Sequence, residues 1–173
     1  MNKVLDEGNL RFDFTACGTA ERFDDKNKNA SGMKAVDFIA ESVDCLYFIE
    51  AKDYQNPKAT PERRKRDYEM LIATVTEENA VFALEMGVKI KDSLLRIFAE
   101  GNVFAKKVIY LLLINLDQLG EFERGLLKAK ISGYIPTGLN DARFSAFTEI
   151  TFDLVNANQL MQYGIACADK PAV

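Results

Sequence analysis

The sequence predicts an α/β fold in which helices flank a mixed central sheet. Residues 33–54 contain two apolar segments separated by a short polar turn, which is typical of a β-hairpin. Residues 77–101 and 118–131 carry apolar side chains at helical spacing, and residues 108–114 between them form an uninterrupted apolar run. This order of strands and helices favours a sandwich of helices packed on a sheet.

Composition indicates one soluble globular domain spanning residues 1–173, with 48% hydrophobic and 28% charged residues. The net charge of −4 provides no global positive field, so nucleic-acid binding would require a local basic patch. The chain has no histidine, which excludes Ser-His-Asp triads, Cys-His proteases and histidine metal centres. A hydrolytic site must therefore rest on carboxylates, lysines and a hard metal.

The chain is expected to be cytoplasmic. Its three cysteines are widely spaced and odd in number, which argues against a disulfide framework. Residues 1–10 lack the apolar core of a signal peptide. The apolar run at 108–114 is much shorter than the about 20 residues that a membrane helix needs, so no membrane partner is expected.

Before the hairpin, residues 10–17 alternate apolar and polar side chains and predict a half-buried strand. Residues 2–7 suggest a short helix or a frayed lead-in, and residues 18–32 suggest an exposed loop. Glu7 is open to two interpretations: a charge at a helix end, or an additional metal ligand.

The hairpin brings charged residues onto one face. With residues 42–45 in the turn, Glu41 pairs with Leu46 and Asp37 falls opposite Glu50, with Cβ atoms about 5 Å apart. Lys52 shares the face of Glu50, because side chains alternate along a strand. Two carboxylates in an apolar setting repel each other, and a magnesium-like ion with oxygen ligands would compensate them better than Lys52 alone.

Asp37, twelve intervening residues and then Glu50-Ala51-Lys52 resemble the motif of the PD-(D/E)xK nuclease superfamily. The resemblance covers residues 10–115 and implies a restriction-endonuclease-like sandwich that cleaves DNA with Mg²⁺, or Mn²⁺ in its place. It implies Asp37, Glu50 and the Ala51 carbonyl as metal ligands and Lys52 as the group that orients the attacking water. Val36 stands where the family often has proline.

Basic residues follow the motif. Residues 63–66 read Arg-Arg-Lys-Arg, on a helix expected to begin at Pro61 with Thr60 as its cap. Arg63, Arg64, Lys65 and Arg66 are either a solvated surface or a phosphate contact. Gln55, three residues after Lys52, is a candidate for substrate contact.

The helix predicted over residues 77–101 places one broad apolar arc against the sheet. Lys91 lies inside that arc, and a buried lysine needs a partner or must extend to solvent. We therefore predict that Lys91 either reaches solvent or joins the catalytic carboxylates, as a helix residue often does in the superfamily that the motif resembles.

The remaining elements complete the sheet. Residues 108–114 predict a central strand parallel to the Glu50 strand, because a right-handed crossover connects them. Residues 118–131 predict a helix that could pack on the opposite face from the 77–101 helix. Residues 147–154 predict an edge strand, residues 156–164 a short helix and residues from 169 a loose tail.

The sequence thus favours a Mg²⁺-dependent phosphodiesterase acting on nucleic acid, with DNA as the expected substrate and a homodimer as one option. The alternative is a non-catalytic protein with the same fold that binds protein or nucleic acid. A third interpretation makes Glu50 and Lys52 a buried structural ion pair.

Overall fold

The protein is a mixed α/β structure of three layers, seen in a computed structural model that describes residues 3–25, 31–76, 80–101, 105–141, 143 and 149–171. Three helices cover one face of a five-stranded sheet, and a three-stranded antiparallel sheet covers the other face. The strands and helices are β1 (Val4–Glu7), β2 (Leu10–Asp13), β3 (Thr19–Arg22), β4 (Phe38–Glu41), β5 (Cys45–Asp53), α1 (Pro61–Thr76), α2 (Val81–Ala99), β6 (Lys107–Asn115), α3 (Glu121–Ser132), β7 (Ile150–Val155) and β8 (Ala166–Asp169). Short 3₁₀ turns occupy Thr137–Asn140 and Gln159–Tyr163.

The five-stranded sheet has the order β3-β4-β5-β6-β7. Strand β4 pairs antiparallel with both β3 and β5, whereas β6 pairs parallel with both β5 and β7. Glu41 pairs with Leu46 across the hairpin, so the predicted register is confirmed. The predicted central strand parallel to β5 and the predicted edge strand are also confirmed, as β6 and β7.

Strand β6 lies in the interior of the sheet, beside the central strand β5, and is buried from Val108 to Ile114. A strand covered on both faces must be apolar at every position, and the sequence of β6 meets that condition. Tyr110 and Leu112 of this strand face the helices, and Leu111 and Leu113 face the three-stranded sheet.

Helices α1, α2 and α3 all pack on the same face of the sheet, so the expectation that α2 and α3 flank opposite faces is wrong. The second face is covered by β1, β2 and β8 instead. Their cluster includes Phe12, whose ring lies 5.1 Å from the ring of Phe38 in β4.

The three-stranded sheet of β1, β2 and β8, named the covering sheet, was only partly predicted from the sequence. Strand β2 alternates buried Leu10 and Phe12 with exposed Arg11 and Asp13, as its sequence indicates. The helix or frayed lead-in expected at residues 2–7 is wrong, because β1 forms there, and the loop expected at 18–32 is wrong where β3 forms, with residues 26–30 outside the described residues. Strand β8 ends at Asp169, where the loose tail was expected to begin. These three strands were not predicted. Each has only four residues, which is too short for a periodic pattern, and β1 and β8 form by pairing with β2.

Within the described ranges, α1, α2 and α3 include no helix that combines the length and the apolar character needed to cross a membrane.

Removing a large side chain that packs between the two sheets should destabilise the protein. Phe12 is fully buried, so Phe12→Ala should lower the free energy of unfolding by about 3 to 5 kcal/mol. Phe122 is 74% exposed, and Phe122→Ala should change the free energy of unfolding by less than about 0.5 kcal/mol. Urea denaturation followed by circular dichroism measures both. Equal effects of the two changes would contradict the three-layer packing.

Candidate functional site

The site lies where β4 and β5 begin to separate. The pairing of Phe38 with Ile49 ends the regular ladder, and the same register places Asp37 opposite Glu50. Both side chains are buried, with exposed fractions of 5% for Asp37 and 0% for Glu50. They share the face of Ile39 and Phe48, which is the face that the helices cover. The predicted convergence of these carboxylates is therefore present in the structure.

Beyond the pair of Phe38 and Ile49, hydrogen bonds to side chains replace the backbone hydrogen bonds between β4 and β5. Continued pairing would join Val36 to Ala51, because hydrogen-bonded pairs recur every second residue. Instead the Ala51 N–H donates to Asp37 Oδ2 at 2.7 Å, and the Val36 N–H donates to Ser93 Oγ of α2 at 3.0 Å. The Ala51 carbonyl consequently lacks the ladder donor that Val36 would have supplied.

Two lysines compensate Glu50. Lys52 Nζ lies 2.7 Å from Glu50 Oε1, as their shared strand face predicts. Lys89 Nζ of α2 lies 2.7 Å from Oε1 and 2.8 Å from Oε2 of Glu50, and 3.9 Å from Asp37 Oδ1. The ammonium of Lys89 thus lies beside both carboxylates. The site thus brings two carboxyl groups and two lysine side chains together.

The helix lysine at the carboxylates is Lys89. Of the two predicted outcomes for Lys91, contact with the carboxylates is wrong, and its extension to solvent is what the structure shows. Lys91 is exposed on α2, whereas the Lys89 side chain is only 12% exposed. Ser93, one turn after Lys89, accepts the Val36 N–H and donates to the Lys89 carbonyl at 2.7 Å. Sequence reasoning missed both Lys89 and Ser93.

The rotation of α2 explains the error. Its buried residues are Phe82, Ala83, Met86, Gly87, Ile90, Ser93, Leu94 and Ile97. At 100° per residue, Lys89 lies at one border of this face, beside Phe82. The predicted arc combined half of this face with exposed Leu84, Leu95 and Phe98. The small residues Ala83, Gly87 and Ser93 were the signal that could have identified the true face.

Gly87 fixes the close packing of that face. A Cβ atom on Gly87 would lie 2.7 Å from Tyr134 Cβ and 2.8 Å from its carbonyl oxygen, closer than atoms approach without displacement. Glycine at this position therefore lets α2 approach the segment that follows α3, with Lys89 turned towards β5.

Burial and like charge control the ionisation of Asp37. Burial raises the pKa of Asp37, and repulsion by Glu50 raises it further, to about 7, although Lys89 and the Ala51 N–H act in the opposite direction. Burial lowers the pKa of Lys89, but attraction by Glu50 and Asp37 and the hydrogen bonds to Glu50 outweigh burial and raise it. Lys89 therefore remains a cation at neutral pH.

The donor set fits one class of metal. Mg²⁺ is commonly held by one or two carboxylates, with water and substrate phosphate as further ligands, and Asp37, Glu50 and the Ala51 carbonyl offer oxygen of that type. In the parts of the chain that the structure describes, no group of three or more Asp, Glu or Cys side chains could hold a metal. A cation held by Asp37, Glu50 and the Ala51 carbonyl would keep water among its ligands. A cation bound to Glu50 must compete with Lys89.

The basic segment forms the first turns of α1. Thr60 caps the helix before Pro61, as predicted, and accepts the Arg63 N–H at 3.3 Å. Arg63 and Lys65 lie 3.8 Å from Asp67 and Glu69 one turn later.

Arg64 and Arg66 differ in burial. Gln55, nearer the motif, makes a hydrogen bond through its backbone N–H. Arg64 is half-buried and donates to the Asn56 carbonyl at 3.3 Å, whereas Arg66 is exposed. Gln55 is half-buried, with its N–H donating to Asp53 Oδ1 at 3.2 Å. Among the described residues, no ion pair joins residues 63–66 to the buried carboxylates, so their assignment to substrate binding stays a prediction.

Glu7 lies in β1 and forms an ion pair of 2.6 Å with Arg22 of β3. Its charge is a minor contribution to the raised pKa of Asp37. The helix-end interpretation of Glu7 is wrong, because Val4–Glu7 is a strand.

Comparison with known proteins found no matching family model, no matching curated protein and no matching solved structure.

The two lysines of α2 predict different costs of truncation. Lys89→Ala should lower the free energy of unfolding by about 3 to 5 kcal/mol, because it removes a partner of a fully buried carboxylate. Lys91→Ala, two residues away and exposed, should change it by less than about 0.5 kcal/mol. Urea denaturation of both variants at low protein concentration gives the comparison. A larger effect at Lys91 would contradict the orientation of α2.

The raised pKa of Asp37 predicts a pH dependence. The folded protein binds this proton more tightly than the unfolded chain, so the stabilisation is complete below pH about 4 and is lost as the pH rises through about 7. Between pH 5 and 8 the wild type should lose about 2 to 3 kcal/mol relative to Asp37→Asn, which cannot ionise. Denaturation in EDTA at each pH measures the difference. A constant difference across this range would contradict the burial of an ionisable Asp37.

Proposed function

We propose that the protein is a Mg²⁺-dependent phosphodiesterase of the restriction-endonuclease-like type that acts on nucleic acid, with DNA as the expected substrate. One observation carries the proposal. Asp37 and Glu50 converge on one face of the sheet beside Lys52, at the point where the β4–β5 ladder ends. This spacing and order of residues are those of the PD-(D/E)xK motif.

Asp37, Glu50 and the Ala51 carbonyl would hold the metal. A bound Mg²⁺ would supply polarisation of a phosphate oxygen and an acidified water. Asp37 is oriented by the Ala51 N–H, which fixes Oδ2 and leaves Oδ1 facing Lys89. A carboxylate held in one orientation loses less entropy when it binds a cation.

Lys52 is the group suited to steady a phosphate. Its side chain is 25% exposed, whereas Glu50 beside it is 1% exposed, so the ammonium lies between the buried carboxylate and solvent. A cation in that place can hold an attacking water and stabilise negative charge that develops on phosphate. Lys89, more deeply buried, is the cation that a metal at Glu50 would have to displace.

Nucleic acid would approach from the solvent side of Lys52. The chain as a whole is acidic, so binding depends on local cations such as Arg64 and Arg66 at the start of α1. Arg63 and Lys65 contribute less net charge, because Asp67 and Glu69 lie beside them.

A second candidate is a non-catalytic binding module for protein or nucleic acid. The observation that favours it is the charge balance of the site, in which two lysines already compensate Glu50 and Asp37. In such a protein Lys89 would be a permanent structural partner, and the carboxylates would have no affinity for divalent cations.

Thermal melting with Mg²⁺ or Mn²⁺ separates the two candidates. In a nuclease, metal at a hundredfold excess over its Kd should raise the Tm of the wild type by roughly 5 to 10 °C. Asp37→Ala should show no rise. Wild-type protein should nick supercoiled plasmid only with metal, and Lys52→Ala should slow nicking by about 100-fold or more.

Arg143, an exposed residue outside the site, provides a control for Lys52, and Arg143→Ala should nick at the wild-type rate. A wild-type Tm that does not respond to either metal, together with no nicking, would exclude the nuclease and favour the binding module. A response that persists in Asp37→Ala would place the metal elsewhere.

A further inference from the structure

Lys89 occupies the side of Glu50 on which a metal ion would bind. A carboxylate offers about four acceptor positions. Lys52 Nζ lies 2.7 Å from Glu50 Oε1, and Lys89 Nζ lies 2.7 Å from Oε1 and 2.8 Å from Oε2, so ammonium groups fill three of those positions. A divalent cation beside two ammonium groups would be strongly repelled. It can therefore bind Glu50 only when an ammonium withdraws.

Of the two lysines, Lys89 is the one that needs a new partner when it withdraws. The Lys52 side chain is 25% exposed and can turn to solvent, whereas the Lys89 side chain is only 12% exposed. A lysine this deeply buried is costly without an anion beside it. Asp37 cannot be that anion, because it would itself hold the metal. Another carboxylate must therefore lie within reach of Lys89.

Asp24 is the carboxylate placed to receive Lys89. The Phe23 N–H donates to the Asp37 carbonyl at 2.8 Å, and the Asp24 N–H donates to the same oxygen at 3.5 Å. The Asp24 side chain is half-buried, and within the described ranges it makes no hydrogen bond or ion pair. Burial lowers the pKa of Lys89, and attraction by Glu50, Asp37 and then Asp24 raises it. The charge of Asp24 therefore already acts on this ammonium.

Helix α2 anchors the segment that carries Asp24. Arg96 donates to the Phe23 carbonyl at 2.9 Å, and its guanidinium carbon lies 3.9 Å from the centre of the Phe23 ring. Lys89 lies on the same edge of α2 as Arg96, because seven residues are about two helical turns. One helix thus carries the lysine and holds its second carboxylate in place. The long, flexible stem of lysine permits the transfer without movement of α2.

We propose that Asp24 is a positioning residue that receives the Lys89 ammonium when a divalent cation binds Asp37 and Glu50. This inference rests on the metal site of the proposed function. It gives Lys89 two partners, Glu50 before the cation binds and Asp24 afterwards. Each buried charge then has a partner of opposite sign in both states, which removes the cost of an uncompensated lysine.

Titration calorimetry with Mn²⁺, without nucleic acid, measures the consequence. Asp24→Asn should raise the Kd for Mn²⁺ about fivefold or more, because the displaced ammonium loses its second partner. Asp24→Glu, which keeps the charge, should restore most of the affinity. Asp44→Asn removes the same charge from the exposed turn between β4 and β5, about 20 Å from Glu50, and should leave the Kd unchanged.

Removal of Lys89 separates a positioning role of Asp24 from direct metal binding. Lys89→Met eliminates the competing ammonium and should lower the Kd for Mn²⁺ about tenfold. In that background Asp24→Asn should change the Kd by less than about twofold, because no ammonium remains to be received. If circular dichroism shows that Lys89→Met does not fold, Lys89→Gln takes its place, since it keeps a hydrogen-bond donor beside Glu50 without the charge.

Several results would overturn the proposal. An equal effect of Asp24→Asn with and without Lys89 would make Asp24 itself a metal ligand. No effect of Asp24→Asn in the wild type, an equal effect of Asp44→Asn, or no gain in affinity on removal of Lys89 would also contradict it. In these cases, Mn²⁺ that binds the wild type but not Asp37→Ala would leave the proposed metal site intact. A wild type that does not bind Mn²⁺ would remove that site and this inference together.

Discussion

The structure depends on how a fully buried carboxylate is compensated. Glu50 has no solvent exposure and lies in β5, the central strand of the five-stranded sheet. An unpaired charge in that environment would cost several kcal/mol, so the folded protein requires cations beside Glu50, and Lys52 and Lys89 supply them. This requirement fixes the rotation of α2, since only one orientation of the helix turns Lys89 towards β5. The same orientation packs α2 over Asp37 and Glu50.

The same helix carries two kinds of constraint. Its inner face carries small residues, of which Gly87 permits the close approach to Tyr134, and its outer face carries exposed Leu84, Leu95 and Phe98. A helix that is apolar on two sides gives an ambiguous periodic signal. The prediction that Lys91 lies on the buried face follows from that ambiguity, and the small residues of the inner face distinguish the two sides.

Hairpin register was the most predictable feature of the site. A tight turn between two apolar strands leaves few ways to pair them, and a shift by one residue would turn Asp37 and Glu50 to opposite faces. The convergence of these carboxylates with Lys52 therefore followed from local sequence. The short strands β1, β3 and β8 did not, because four residues carry too little pattern to distinguish a strand from a loop.

By itself, the sequence determined the mixed α/β class, the parallel pairing of β5 with β6 and the shared face of Asp37, Glu50 and Lys52. Each of these follows from short-range periodicity and connection rules that act along the chain. Only the tertiary structure decided that Lys89 reaches Glu50, that Ser93 takes the Val36 N–H and that a second sheet covers the far face. These contacts join segments distant in sequence, and packing between layers selects them.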